Sequence, residues 1–180
     1  MSSDYYLYQY IINMKTLMNE MLSEFIYGGM DGVITTVAII AGTIGAQIPS
    51  KYALVLGLSN ILADGFSMGI SRYNSLVDIV KSAANSELSR TSPILSGFAT
   101  FFFFVLLGLV PLLPFLFDIS MERVVEYLMM SSLMAFLIIG VVKGIHTKRF
   151  MKSILEVVVI GSLGAGISFY VARYAKKNIM

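Results

Sequence analysis

Two acidic residues lie in or beside a long apolar stretch near the start of this sequence. Asp31 lies in the segment EFIYGGMDGVITTVAII, and Glu24 precedes it by seven residues. Residues seven apart in a helix share nearly the same face and are about 10 Å apart along the axis. A charge inside hydrocarbon costs a few kcal/mol, so an acid there binds an ion or pairs with a polar group of another helix. Asp31 is therefore a candidate ion ligand, and Glu24 is either a second ligand or a solvated helix start.

A second polar set follows in the next apolar stretch. Asn60, Asp64 and Met68 succeed one another at intervals of four residues, so their side chains form one stripe along a helix. Amide and carboxylate oxygens alone would suit Mg2+ or Ca2+, whereas a polarizable thioether favours first-row transition ions. Met68 therefore indicates iron or manganese. The alternative is that Met68, one of twelve methionines, only fills space in a helix bundle.

Other kinds of site find no support in the sequence. The chain has no cysteine, which excludes structural zinc and iron–sulfur sites. His146, the single histidine, is expected in a solvated loop and makes no metal site alone. No phosphate-binding loop and no nucleophile motif occurs. We therefore expect no enzymatic activity and no cofactor, and the small net charge of +2 predicts no nucleic-acid partner.

The candidate ligands must be positioned by helices that cross a membrane. Hydrophobic residues make up 57% of the chain and charged residues 13%, against roughly 25% charged residues in a soluble domain. Apolar runs of about 20 residues, enough to cross a ~30 Å hydrocarbon core, recur along the chain. Only helices satisfy their own backbone there. We predict an all-α membrane protein with five transmembrane helices, at residues 25–46, 52–71, 94–117, 124–142 and 154–172. Pro111 and Pro114 should kink or end the third span.

The chain ends and the basic residues predict a topology. Residues 1–23 mix apolar side chains with charged ones, which predicts an amphipathic helix on the membrane surface and not a signal peptide. With the N-terminus in the cytoplasm, eight of the 13 Lys and Arg residues fall on the cytoplasmic side, as the positive-inside rule prefers. We expect the C-terminus on the opposite side, although the basic tail at 176–180 would by itself favour the cytoplasm. The transmembrane domain then covers 24–175.

Small residues and one pair of charges predict helix contacts. Gly28 and Gly32 lie four residues apart in the first span, a spacing that lets two membrane helices approach closely. This spacing fits a homodimer packed through its first span, or close packing within one subunit. Lys143 ends the fourth span and Glu156 opens the fifth. We expect them to form a structural ion pair at the membrane interface, where charged side chains reach water.

In their order and spacing, four segments resemble the vacuolar iron transporter family: EFIYGGMDGVITTVAIIAGTIGA, GLSNILADGFSMGISRY, FVLLGLVPLLPFL and GVVKGIHTKRFMKSILEVVVIGSLGAGISFYVARY. The resemblance covers residues 20–175. It implies a five-helix homodimer in membrane lipid that exports Fe2+ or Mn2+ from the cytosol in exchange for protons. The metal path would lie at the two-fold interface, lined by the first and second spans of both subunits. The metal ion would be a substrate and not a cofactor.

The resemblance also implies roles for single residues. Asp31 and Glu24 match the two first-span acids of the family, and Met68 matches the methionine of its Ser-Met-Gly element. Asn60 stands where plant-type members have a glutamate, and Asp64 follows one turn later. Long members insert a Glu-rich metal-binding domain after the second span, for which residues 72–92 leave no room. A non-transporting membrane scaffold and a divalent-cation channel are the alternative functions.

Overall fold

The computed structural model describes residues 2–82, 92–116 and 121–179, and this part of the chain contains helices but no strand. The helices are α1 (Ser2–Gly45), α2 (Ser50–Ser82), α3 (Pro93–Gly108), a 3₁₀ helix (Val110–Leu116), α4 (Met121–Thr147) and α5 (Phe150–Ile179). The prediction of an all-α membrane protein is confirmed. Residues 83–91, which belong to the short segment between the second and third predicted spans, lie outside the described part.

Within the described part of the chain, four helices are long and apolar enough to cross a membrane, and the count rises to five if α3 and the 3₁₀ helix form one span. These two segments meet at an angle of 43°. Pro111 and Pro114 lie in the 3₁₀ helix, where each lacks the backbone N–H that would continue an α-helix. The predicted interruption of the third span is therefore present, and α3 ends at Gly108.

The N-terminal segment is helical, but it is not separate from the first span. Helix α1 runs without a break for 44 residues, which is about 66 Å at 1.5 Å per residue. No proline or glycine precedes Gly28 in the sequence, so no residue stops the helix between the predicted segments. One hydrocarbon core takes only about 20 residues, and α1 therefore extends well beyond a single span.

Helix α1 lies at the centre of the bundle and packs most extensively against α3 and α5. Two apolar clusters surround it. One joins α1 to α3, α4 and α5 through Val33, Val37, Leu107, Ala135, Phe136, Ile139 and Val157. The other joins it to α2, α3, α4 and the 3₁₀ helix through Ile40, Ile61, Phe104, Leu112 and Leu128.

The small residues of α1 serve packing within the subunit. A Cβ atom on Gly28 would collide with the carbonyl oxygen of Thr100, and one on Gly32 with that of Phe104. Both glycines therefore face the backbone of α3. Their assignment to a dimer interface is wrong, since α3 already occupies the surface that they free, and close packing inside one chain was the correct alternative.

The connection between the last two helices is shorter than the sequence predicts. Helix α4 continues to Thr147 and α5 begins at Phe150, with Lys148 in the left-handed region at φ 56°. His146 lies in the last turn of α4, so its placement in a loop is wrong. The basic residues of the predicted tail belong to the last turn of α5, which continues to Ile179.

Candidate metal site

Asp31 and Asp64 lie at the same level of the hairpin that α1 and α2 form. Helix α1 ends at Gly45 and α2 begins at Ser50, and the two acids lie equally far from this turn. Both side chains are half-buried, and they are near enough for their negative charges to repel each other. Such repulsion is strongest where little water screens it. A cation or a proton between the two carboxylates would relieve it.

Asn60 orients the carboxylate of Asp64. Its side-chain Nδ2 donates a hydrogen bond of 2.5 Å to Asp64 Oδ2, one helical turn away on α2. Both residues are half-buried. The hydrogen bond fixes the orientation of the Asp64 carboxylate, which would otherwise rotate more freely. Asn60 therefore positions Asp64, and its own amide oxygen is not used by this hydrogen bond.

Met68 continues the same stripe of α2 and also contacts the apolar core. Its half-buried side chain packs against the cluster that contains Ile40, Ile61 and Phe104. The thioether thus lies at the boundary between the polar stripe and the core. This position fits a soft ligand and a packing residue equally well.

Glu24 is held entirely by protein groups. Its side chain is 1% exposed, and its Oε1 accepts hydrogen bonds from Arg72 Nε at 2.8 Å and lies 2.6 Å from Arg72 Nη2. The other oxygen, Oε2, accepts a 2.7 Å hydrogen bond from Thr100 Oγ1. Glu24 can become a metal ligand only if Arg72 leaves it. Nothing in the local sequence pairs Arg72 with Glu24, yet the two residues lie almost equally far from the α1–α2 turn.

A cavity of about 540 Å³ lies beside Asp31, between α1 and α4. Its wall includes Tyr27 from α1 and Lys143 and His146 from α4. Lys143 Nζ also lies 3.1 Å from Glu156 Oε1 on α5, which is the ion pair expected from the sequence. His146 is exposed, as the sequence predicts, and it lines the same cavity as Asp31.

Comparison of the sequence with models of known protein families identifies the family of this chain. The model described as the VIT family matches residues 22–87 and 76–173, which together cover most of the chain. The chain belongs to the VIT family. The matched ranges contain Asp31, Asp64, Met68 and the residues that hold Glu24.

Relatives of this chain from several organisms carry the name vacuolar iron transporter. The one from Toxoplasma gondii is 40% identical over 57 residues, which cover 32% of this chain and 19% of that protein. The one from Plasmodium falciparum is 41% identical over 54 residues, 30% of this chain and 20% of the relative. Vacuolar iron transporter 2 of Oryza sativa subsp. japonica is 24% identical over 214 residues, 86% of this chain and 87% of the relative. The chain spans about a fifth of the length of the first two relatives and most of the third.

This VIT chain offers an incomplete set of metal ligands by itself. Within residues 2–82, 92–116 and 121–179, no group of three or more His, Cys, Asp and Glu side chains could hold a metal ion. Asp31 and Asp64 supply two acids, Asn60 an amide oxygen and Met68 a sulfur. A six-coordinate divalent ion needs further ligands, from water or from a second protein surface.

Proposed function

We propose that this chain moves a divalent first-row transition ion, Fe2+ or Mn2+, across a membrane. The observation that supports this most directly is the pair of acids within apolar helices, Asp31 and Asp64, which lie at one level of the α1–α2 hairpin and near enough for their charges to interact. An acid pair of this kind is costly in a membrane unless an ion or polar partners compensate it, and a cation would compensate both carboxylates. Membership of the VIT family and the names of the relatives support iron as the ion.

The transporter is a homodimer in this proposal. One chain provides a partial ligand set, and a two-fold axis beside the α1–α2 hairpin doubles it, because a symmetric interface brings the same residues of both copies together. Asp31, Asp64, Asn60 and Met68 of both copies then line one path.

Transport proceeds from the cytosol in exchange for protons. A carboxylate binds a metal ion only in its deprotonated form, so proton and metal compete for Asp31 and Asp64. The N-terminus lies in the cytoplasm, the orientation that eight of 13 Lys and Arg residues favour. A proton gradient directed into the cytosol then drives the metal outward.

The test is Mn2+ and Fe2+ flux into proteoliposomes under an imposed pH gradient. The wild-type protein should transport only when the gradient is present, and Asp31→Asn should lower the flux by at least tenfold, because the amide keeps the shape but loses the charge. Glu126→Gln is the matched control, since Glu126 is an exposed acid of α4 outside the site. Undiminished flux through Asp31→Asn would overturn the proposal, and flux independent of the gradient would overturn the proton exchange.

A further inference from the structure

Arg72 continues the polar stripe of α2 that the candidate ligands form. It follows Met68 by four residues, so the stripe runs from Asn60 through Asp64 and Met68 to Arg72. On α1, Glu24 lies about 10 Å from Asp31 along nearly the same face. The Glu24–Arg72 pair therefore lies at one end of the row of candidate ligands. Glu24 is the carboxylate at that end, and Arg72 already neutralises it.

The two partners of Glu24 are held with different firmness. Thr100 belongs to α3, whose backbone lies in close contact with α1 at Gly28, and its hydroxyl shares its one proton between Glu24 Oε2 and Ser96 O of its own helix. Arg72 belongs to α2, which packs against α1 less extensively than α3 does, and its side chain is 30% exposed. Arg72 is therefore the partner that can leave while Glu24 stays in place.

We propose that Arg72 is a tethered cation that reserves Glu24 for divalent ions and thereby determines ion specificity. The inference rests on the proposed transport function. Arg72 donates a hydrogen bond from Nε to the buried Oε1 of Glu24 and brings Nη2 within 2.6 Å of the same oxygen, which makes a strong charge-assisted contact. A monovalent ion offers no more charge than the guanidinium and must also lose its water, so it does not displace Arg72. A divalent ion brings twice the charge and replaces Arg72 at Glu24.

The proposal predicts how metal binding changes when Arg72 is removed. Mn2+ affinity is measured by calorimetry on the purified full chain, with and without a large excess of K+. Arg72→Gln should bind Mn2+ several-fold more tightly than the wild-type protein, because Glu24 is then free. The same variant should become sensitive to K+, whereas Mn2+ binding to the wild-type protein should not respond to K+.

A double-mutant cycle separates release of Glu24 from the mere loss of a positive charge. The gain caused by Arg72→Gln should vanish when Glu24→Gln is also present, because no carboxylate is left to release. A gain of equal size in both backgrounds would show a field effect only and overturn the proposal. Lys143→Gln is the matched control. It removes a positive charge beside the Asp31 cavity and breaks the pair with Glu156, and it should leave the K+ response unchanged.

A purely structural clamp predicts the opposite result. Breaking one side of a buried pair lowers stability, so Arg72→Gln would then bind Mn2+ more weakly or equally, with a lower unfolding temperature. If Arg72→Gln does not fold, Arg72→Lys provides the test, because lysine keeps the charge but lacks the rigid fork. It should bind Mn2+ more tightly than the wild-type protein, and equal or weaker binding overturns the proposal. Mn2+ binding by none of these proteins would contradict the transport function itself.

Discussion

Met68 contacts both the polar stripe of α2 and the apolar core, and a single substitution separates its two roles. Met68→Leu keeps volume and apolarity, a kind of change that usually costs under about 1.5 kcal/mol in packing. Folding should therefore survive. Fe2+ flux should fall more than Mn2+ flux, because loss of a polarizable sulfur penalises the softer ion first. Flux of each ion into proteoliposomes measures the difference.

Met134→Leu is the control for that comparison, since Met134 is 63% exposed on α4 and outside the stripe. It should change neither flux. If Met68→Leu also leaves both fluxes unchanged, Met68 is a packing residue and not a ligand. Loss of both fluxes in a folded protein would mean that Met68 controls passage without selecting the ion.

Single residues differ in how far the sequence reveals them. Asp31 is visible because its charge stands inside an apolar stretch, and the expected pair of Lys143 and Glu156 is visible because both lie near helix ends. The setting of Glu24 is not visible locally. Its partners Arg72 and Thr100 lie 48 and 76 residues away along the chain, and only the packing of three helices brings them together.

At the level of the elements, the contact between α1 and α3 depends on glycine. A Cβ atom on Gly32 would meet the backbone of Phe104, which cannot move aside as a flexible side chain does. Gly32→Ala should therefore destabilise the protein by about 1–3 kcal/mol, as overpacking does, although alanine is the better helix former by about 1 kcal/mol. Thermal unfolding of the protein in detergent measures this.

Gly166→Ala is the matched control on α5, because a Cβ atom there meets no atom within 4 Å. It should leave stability unchanged or raise it by up to about 1 kcal/mol. If Gly32→Ala instead dissociated into monomers whose unfolding temperature was unchanged, Gly32 would lie in a dimer interface. The structure predicts a less stable subunit instead.

The elements themselves were predictable where composition alone determines them. Apolar runs indicate the spans, and Pro111 and Pro114 mark the interruption of the third span. The continuity of α1 was not predictable from polarity. An amphipathic pattern shows which side of a helix is polar, but it does not show whether the chain bends between that helix and the next span. The polar run after Lys143 resembled a loop for the same reason, yet Thr147 Oγ1 still bonds to Lys143 O at 2.8 Å within α4.

At the level of the whole molecule, the fold divides two tasks between the sides of α1. On one side α1 packs closely against α3 and α5, where Gly28 and Gly32 allow the helices to touch. Away from α3, it carries Asp31 at the level of Asp64 and beside the cavity between α1 and α4. The bundle thus provides a rigid support for the acids and leaves the outer face of α2 exposed, with the large side chain of Phe66 64% exposed.

In the proposed homodimer, metal binding is coupled to association of the two chains. While Arg72 holds Glu24, the candidate acids that one chain offers among its described residues are Asp31 and Asp64, so in the proposed dimer a metal ion should bind most tightly where a second copy completes its ligands. Linkage then requires that the metal strengthen the dimer by the same factor by which the dimer strengthens metal binding.

Added Mn2+ should raise the dimer fraction of the protein in detergent, measured by single-particle mass measurement at dilutions where monomers and dimers coexist. Asp31→Asn should abolish this response and leave the metal-free equilibrium nearly unchanged, and Mg2+ should have less effect than Mn2+, since the thioether of Met68 favours a transition ion. A dimer fraction indifferent to Mn2+ would place the binding site within one subunit and remove the two-fold axis from the path.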